Sequence, residues 1–311
     1  MSREGFSMEK VWDMLIVGGG PAGLAAGLYG ARAGAACLLL EAGTPGGQML
    51  LTEQIGNYPG AGTIEGFVLA ERMLQDAVDA GLSWQRAAVL SARLEGSEKE
   101  LATDIGPFRA RAVILAAGAA PRKLGLPAEA RLLGRGVSYC ALCDGFFYRG
   151  KTVCVVGGGN SAAEEALYLA ALAEKVYLIH RRARFTAGQA VLERLRRTEN
   201  VTILTGYQIK HILGTEHVTG IALEDAQTRQ LQLDTDGIFI AIGRCPATDF
   251  LPQALSKDEN GALRTDENLA CSLPGVFAAG DIRRKGTRQV LTAAADGAVA
   301  AGSALEYLNK S

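Results

Sequence analysis

Four apolar residues, Met14 to Val17, run directly into the turn Gly18-Gly19-Gly20-Pro21-Ala22-Gly23, a pattern that predicts a short strand feeding a helix. Pro21 opens that helix, which is rich in small residues and ends near Gly34. A second apolar run, Ala36 to Leu40, predicts a strand ending at Glu41, so the segment reads as a βαβ unit. The succession returns 139 positions later (157 − 18): the run Val153 to Val156, the turn Gly157-Gly158-Gly159-Asn160-Ser161-Ala162, and the run Val176 to Ile179. Leu28-Tyr29 of the first predicted helix falls on Leu167-Tyr168 of the second, so the copies match beyond their glycines. A second pair of segments agrees. Val113 to Gly118 ends in Ala-Ala-Gly with Pro121 following, and Ile238 to Gly243 ends in Ala-Ile-Gly with Pro246 following. The chain is expected to cross between modules near these prolines and to return to the first. The predicted architecture is α/β, with two three-layer, Rossmann-like dinucleotide-binding domains. Residues 1–121 and 247–311 form one domain, and 122–246 form the other, inserted into it.

The glycine spacing carries chemistry. Gly18 permits the tight turn, Gly20 lets a pyrophosphate approach the backbone, and Gly23 lets the helix pack close to the strand, with the helix N-terminus facing the phosphates. Glu41 stands where a carboxylate binds ribose hydroxyls. In the second copy that place is taken by His180, followed by Arg181 and Arg182, a change that favours a ribose carrying a 2′-phosphate and hence NADP over NAD. The plainer alternatives are glycines that only turn a core and arginines that are only solvated.

Composition narrows the field further. With 311 residues the chain can hold two cored domains, and a net charge of −1 gives no general attraction to nucleic acid or to an anionic membrane. Met14 to Ala31 is uncharged but broken by glycines and Pro21, and Glu4, Glu9 and Asp13 interrupt any basic leader, so neither a signal peptide nor a membrane span is expected. Cys37, Cys154 and Cys245 lie in or beside strand-like runs and Cys271 in a turn-rich stretch, as reduced cysteines of a cytoplasmic protein would.

The remaining two cysteines stand in Cys140-Ala141-Leu142-Cys143-Asp144-Gly145, shortly before the second glycine turn. Two thiols at this spacing can close a small disulfide, and an acid directly after the second can hand protons to a departing thiolate, which is dithiol redox chemistry. A zinc site would need two more ligands, and His180, His211 and His217 lie far off without a second CxxC. A non-catalytic, nucleotide-binding redox regulator would not need the acid. Near the C-terminus, Gly275 to Asp281 predicts a short strand ending in Gly-Asp, with Arg288-Gln289-Val290 before an alanine-rich helix.

From about Met14 to Leu308, and in order, these motifs resemble the low-molecular-weight thioredoxin reductases, flavoproteins of the pyridine nucleotide-disulfide oxidoreductase superfamily. The resemblance implies FAD in the first module, with Gly18, Gly20, Pro21, Ala22 and Gly23 at its pyrophosphate and Glu41 at its adenosine ribose. Gly46, Gly47, Gln48, Asn57, Gly118, Asp281, Arg288, Gln289 and Val290 would surround the rest of it. It implies NADPH in the second, held by Gly157, Gly159, Asn160, Ser161, Ala162 and His180, with Arg181 and Arg182 at the 2′-phosphate. Members often carry a further arginine where this chain has Thr186, so Arg184 compensates or the preference for NADPH over NADH is softened. Relatives fed by ferredoxin or reduced flavin typically lack the intact second fingerprint found here.

By the same resemblance, Cys143 takes electrons from the flavin, Cys140 attacks the disulfide of thioredoxin, and Asp144 is the proton donor and acceptor. Gly134-Arg135-Gly136 and Phe146-Phe147 would meet thioredoxin, and the protein would be a homodimer. Two physical expectations follow. The CxxC should cap a short helix that lowers the Cys140 pKa, and burial beside Phe146 and Phe147 should raise that of Asp144.

Overall fold

The computed structural model describes residues 10–52 and 54–310, so Glu4 and Glu9 lie outside the described residues. The chain divides into two compact units, Met1–Ala120 with Cys245–Ser311, and Pro121–Arg244.

The first unit is built on a seven-stranded sheet. Val11–Val17 lies between Cys37–Glu41 and Gly106–Leu115, parallel to both, and Ser83–Arg86 extends the Cys37–Glu41 side. The early half of Gly106–Leu115 pairs antiparallel with Lys99–Thr103, which pairs in turn with Val89–Arg93, while its last residues pair parallel with Val276–Ala278. Alternation of side chains sorts the two faces. Met14, Ile16, Leu39 and Ile114 pack under the helices Pro21–Arg32, Gly66–Asp79 and Val290–Lys310. Leu15, Val17, Leu38, Leu40, Val113 and Leu115 pack against Leu101 and Phe108 of the antiparallel strands and against Leu251, Leu255 and Leu263. Helices, sheet and a second β layer make three layers.

The first strand begins three residues before the apolar run predicted at Met14. Asp13 concealed this in the sequence. Its carboxylate accepts the Ala36 amide at 2.8 Å, which satisfies a charge inside the strand while the flanking Trp12 is buried.

The second unit repeats the plan. A five-stranded parallel sheet runs in the order Val137–Ser138, Gly237–Ile240, Thr152–Val156, Lys175–His180, Val201–Thr205. Val153, Val155, Val176, Leu178 and Phe239 face the helices Asn160–Ala170 and Gln189–Arg197. Cys154, Val156, Ile179, Ile238 and Ile240 face an antiparallel sheet of Tyr207–Leu213, Gly220–Asp225 and Gln230–Asp234.

One contact holds the first unit's helix layer to its glycine turn. A Cβ on Gly297 of the C-terminal helix would lie 2.1 Å from the Ala22 carbonyl oxygen, so the two helices meet backbone to backbone. Gly297→Ala should therefore cost about 1–3 kcal/mol in urea denaturation. Gly302→Ala, on the same helix but facing nothing within 4 Å, should be neutral or stabilising by about 0.5–1 kcal/mol.

Candidate active site

The first cradle forms at the C-terminal edge of the Val11–Val17 strand, where parallel α/β sheets bind ligands. Gly18 has φ +103°, and a Cβ there would sit 2.5 Å from the Ala116 carbonyl oxygen; a Cβ on Gly23 would sit 1.9 Å from that of Gly18. Gly20 faces open space, its nearest neighbour being the Gly47 Cα at 3.9 Å, and Pro21 and Ala22 begin the helix behind it. The Glu41 carboxylate is docked beside the turn, accepting the Gly19 amide at 2.7 Å and the Gly43 amide at 2.8 Å.

Around this turn the chain gathers the other residues expected to hold the same ligand. Gly46 and Gly47 both have positive φ, and Gln48 Nε2 donates to the Ala119 carbonyl at 2.8 Å, next to Gly118. Asn57 Nδ2 donates to Gln289 Oε1 at 2.9 Å, joining segments 232 residues apart. A Cβ on Gly280 would lie 2.9 Å from that of Ala22, which sets the following Asp281 beside the first turn of the first helix. Val290 opens the C-terminal helix, and just before it the Arg288 Nε is buried without a hydrogen-bond partner among the described residues. Open space over Gly20, a docked carboxylate and an unmatched buried guanidinium nitrogen together fit a dinucleotide.

Asp296 underpins the Gly280-Asp281 turn. It accepts the Gly280 amide at 2.9 Å, Nε and Nη2 of Arg283 at 2.9 Å each and Lys285 Nζ at 2.7 Å. Burial alone would raise its pKa, but these hydrogen bonds and cations hold it below the usual carboxylate range. Sequence reasoning missed this residue, because an aspartate inside an alanine-rich helix looks like a solvated one.

The second cradle copies the first in backbone but not in side chains. A Cβ on Gly157 would lie 2.3 Å from the Ala241 carbonyl oxygen, Gly159 faces open space, and Ala162 is buried where the first copy has Gly23. Asn160 Oδ1 accepts the Gly188 amide at 2.8 Å, and Ser161 beside it is exposed. The His180 ring lies over Gly158 as the Glu41 side chain lies over Gly19, its Nε2 is 3.1 Å from the Arg184 carbonyl oxygen, and it packs on Phe185 at 5.0 Å. Burial, with the charges of Arg182 and Arg181, pushes its pKa down against the pull of the Arg184 carbonyl. His180 thus meets the turn as a neutral wedge, while Arg181 and Arg182 are exposed. Thr186 closes the loop: its amide and hydroxyl both donate to the Gly158 carbonyl, at 2.8 and 3.1 Å.

The cysteines stand at a four-residue helix, Ala141–Asp144, capped by Cys140. They are joined as a disulfide, and Cys140 Sγ accepts the Cys143 amide at 3.2 Å. Ser138, which sequence reasoning missed, ties the motif together. Its hydroxyl donates to Asp144 Oδ2 at 2.5 Å and accepts the Cys140 amide at 3.0 Å.

Burial raises the Asp144 pKa and outweighs the opposing Ser138 hydrogen bond. The burial expected from Phe146 and Phe147 is corrected, since these rings are 64% and 50% exposed. Gly145 is buried against Tyr168 and Leu169, and this turns the two residues after it outward. Leu142, Phe146 and Phe147 therefore make an exposed apolar group beside the disulfide, with Arg149 over the Phe146 ring at 5.5 Å. Gly134-Arg135-Gly136 forms a turn before Val137, with the Arg135 side chain exposed.

Over residues 12–297 the sequence matches the family described as Pyridine nucleotide-disulphide oxidoreductase. The thioredoxin reductase of Treponema pallidum (strain Nichols) is 41% identical over 304 residues, covering 97% of this chain and 99% of that one. Among solved structures, the thioredoxin reductase from Giardia duodenalis matches with a TM-score of 0.92 at 32% identity, over 97% of this chain and 100% of that one. The thioredoxin reductase from Streptococcus pyogenes MGAS5005 matches with a TM-score of 0.90 at 38% identity, over 97% and 99%. The chain belongs to the pyridine nucleotide-disulphide oxidoreductase family, among the thioredoxin reductases, as an oxidoreductase that works with a flavin and a nicotinamide nucleotide.

Proposed function

We propose that the chain reduces thioredoxin at the expense of NADPH, with FAD in the first cradle, NADPH in the second and the Cys140–Cys143 disulfide as the exchanging pair. The observation that carries this reading is the disulfide on a one-turn helix that ends in a half-buried Asp144, whose pKa burial raises. A bound flavin supplies the conversion of a hydride into the electron pair that opens a disulfide. The chain's own residues do the rest. Glu41 takes ribose hydroxyls, the free amides of the first helical turn, beginning at Ala22 because Pro21 has none, face the pyrophosphate, and Arg288 offers its unmatched nitrogen to the same ligand.

Once the pair is reduced, the Cys143 amide stabilises a thiolate on Cys140, which attacks the partner's disulfide. Asp144, keeping its proton to higher pH than an ordinary carboxyl, gives it to the thiolate that leaves. Leu142, Phe146 and Phe147 offer an apolar surface for thioredoxin. The reading includes a homodimer working in the cytoplasm, and light scattering at twice the chain mass tests the first part.

The experiment is anaerobic. Purified flavoprotein is reduced with one equivalent of NADPH and then mixed with oxidised thioredoxin while flavin absorbance is followed. Bleaching and then recovery are expected, and a flavin that NADPH leaves oxidised would overturn the choice of donor. Asp144→Asn should slow exchange with thioredoxin about 100-fold while flavin reduction by NADPH is unchanged. Its rate should also lose the fall that the wild type shows as pH rises through the raised pKa of Asp144.

Arg181→Ala and Arg182→Ala should each raise the KM for NADPH about tenfold, with the KM for NADH unchanged. Thr186 is committed to the Gly158 carbonyl, which favours a modest rather than absolute preference for NADPH in the wild type.

A further inference from the structure

Shortly before the cysteines the chain forms a short edge strand, Val137–Ser138, paired parallel with Gly237–Ile240. Alternation sends its two side chains to opposite faces of the sheet. Val137, in register with Ile238, joins the apolar layer of Ile238 and Ile240. Ser138, in register with Phe239, faces the other layer, where Phe239 packs with Ala141 and Leu169. Ser138 is 3% exposed, and a hydroxyl buried on an apolar face needs partners for both its oxygen and its proton.

All of those partners belong to the redox motif. The Ser138 oxygen accepts the Cys140 amide at 3.0 Å, so its own proton points elsewhere. Two acceptors lie within reach, Asp144 Oδ2 at 2.5 Å and the Cys140 carbonyl oxygen at 3.4 Å. The carbonyl is already supplied by the Cys143 and Asp144 amides, at 3.2 and 3.1 Å. The hydroxyl proton is therefore directed at Oδ2, and a carboxyl whose Oδ2 accepts it carries its acidic proton on Oδ1.

We propose that Ser138 is a positioning residue for the exchange with the partner's disulfide: held by the Cys140 amide, its hydroxyl pins Asp144 Oδ2, leaves the exchangeable proton on Oδ1 and meets the carboxylate that forms when that proton departs. The O–H bond at Oδ1 breaks as an S–H bond forms on the leaving sulfur, and Ser138 keeps its own proton throughout. Because the donor is in place before the charge appears, the release needs no rearrangement. The same bond opposes the effect of burial on the Asp144 pKa. The elements packed here bring Tyr148 from Gly145–Tyr148 and Glu164, Glu165 and Tyr168 from the Asn160–Ala170 helix, whereas Gly237–Ile240 brings no titratable group. Tyr148 feels the Asp144 charge; burial, with Asp144 and Asp236, pushes it up to about 12, so it stays neutral.

The inference rests on Asp144 being the acid of the exchange, and the test separates the two. Holoenzyme is reduced anaerobically with NADPH and mixed with oxidised thioredoxin from about pH 6 to about pH 10, and the exchange rate is followed by flavin absorbance. In Ser138→Ala the fall in rate at high pH should move up by about one pH unit, because the carboxylate loses a hydrogen bond and the proton is held more tightly. At low pH the rate should drop about tenfold, the acid being no longer aimed. Ser138→Thr, which keeps the hydroxyl, should return the fall to its wild-type position. In the Asp144→Asn background, Ser138→Ala should change the rate by less than about twofold at any pH.

A fall that stays in place in Ser138→Ala, or a tenfold loss that persists in the Asp144→Asn background, would mean that Ser138 only supports the Cys140 backbone, and would overturn the inference. If the Ser138 variants do not fold, infrared difference spectra of the wild type between low and high pH decide, with Asp144→Asn identifying the carboxyl band. A C=O stretch lowered by a hydrogen bond to Oδ2 is expected, and the stretch of a free carbonyl would overturn the inference. A wild type with no fall at high pH, matched in rate by Asp144→Asn, would instead overturn the reading of Asp144 as the acid, and the inference with it.

Discussion

In both units, backbone has to lie against backbone. The Gly18 carbonyl oxygen occupies the place where a Cβ of Gly23 would be, and at the end of each strand the Ala116 and Ala241 carbonyl oxygens crowd the place of a Cβ on Gly18 and on Gly157. These approaches pin the start of each helix to the end of its strand, and so fix where the free amides of the first helical turn point. The residues that distinguish the two cradles are then placed on an identical frame. Glu41 and His180 each lie over the middle glycine of their turn, one as an anchored carboxylate and the other as a neutral ring. Selectivity between ligands comes from side chains, while the geometry that binds them comes from their absence.

Much of this was legible in the sequence because it depends on local rules. Glycine spacing, apolar run length and the proline after each repeated Ala-x-Gly segment report on steric demands that hold wherever the chain lies. The duplicated βαβ units and the candidate cradle residues could be read that way, and the family comparisons support the same architecture. The start of the first strand was not legible, because Asp13 looks like a break in the apolar run until the Ala36 amide that satisfies it is known.

Residues whose significance depends on a partner distant in sequence could not be found from the chain alone. Ser138 reads as an ordinary strand residue and Asp296 as a solvated helix position. Only the fold brings Ser138 to Asp144 and Asp296 to the Gly280 turn. The misplaced expectation about Phe146 and Phe147 has the same origin. Adjacency in sequence suggested that they bury Asp144, whereas the packing of Gly145 against Tyr168 and Leu169 turns them outward.

The bond from Asn57 to Gln289 spans most of the chain, and the strand Val276–Ala278 completes a sheet begun at Val11. On a ribosome, then, the inserted unit is fully synthesised while its host still lacks a strand and its longest helix. The small-residue face of the Pro21–Arg32 helix must remain uncovered until the last residues emerge, because the helix that covers it is the C-terminal one. Maturation therefore proceeds from the inside of the sequence outward, and premature termination would leave the inserted unit intact but its host open.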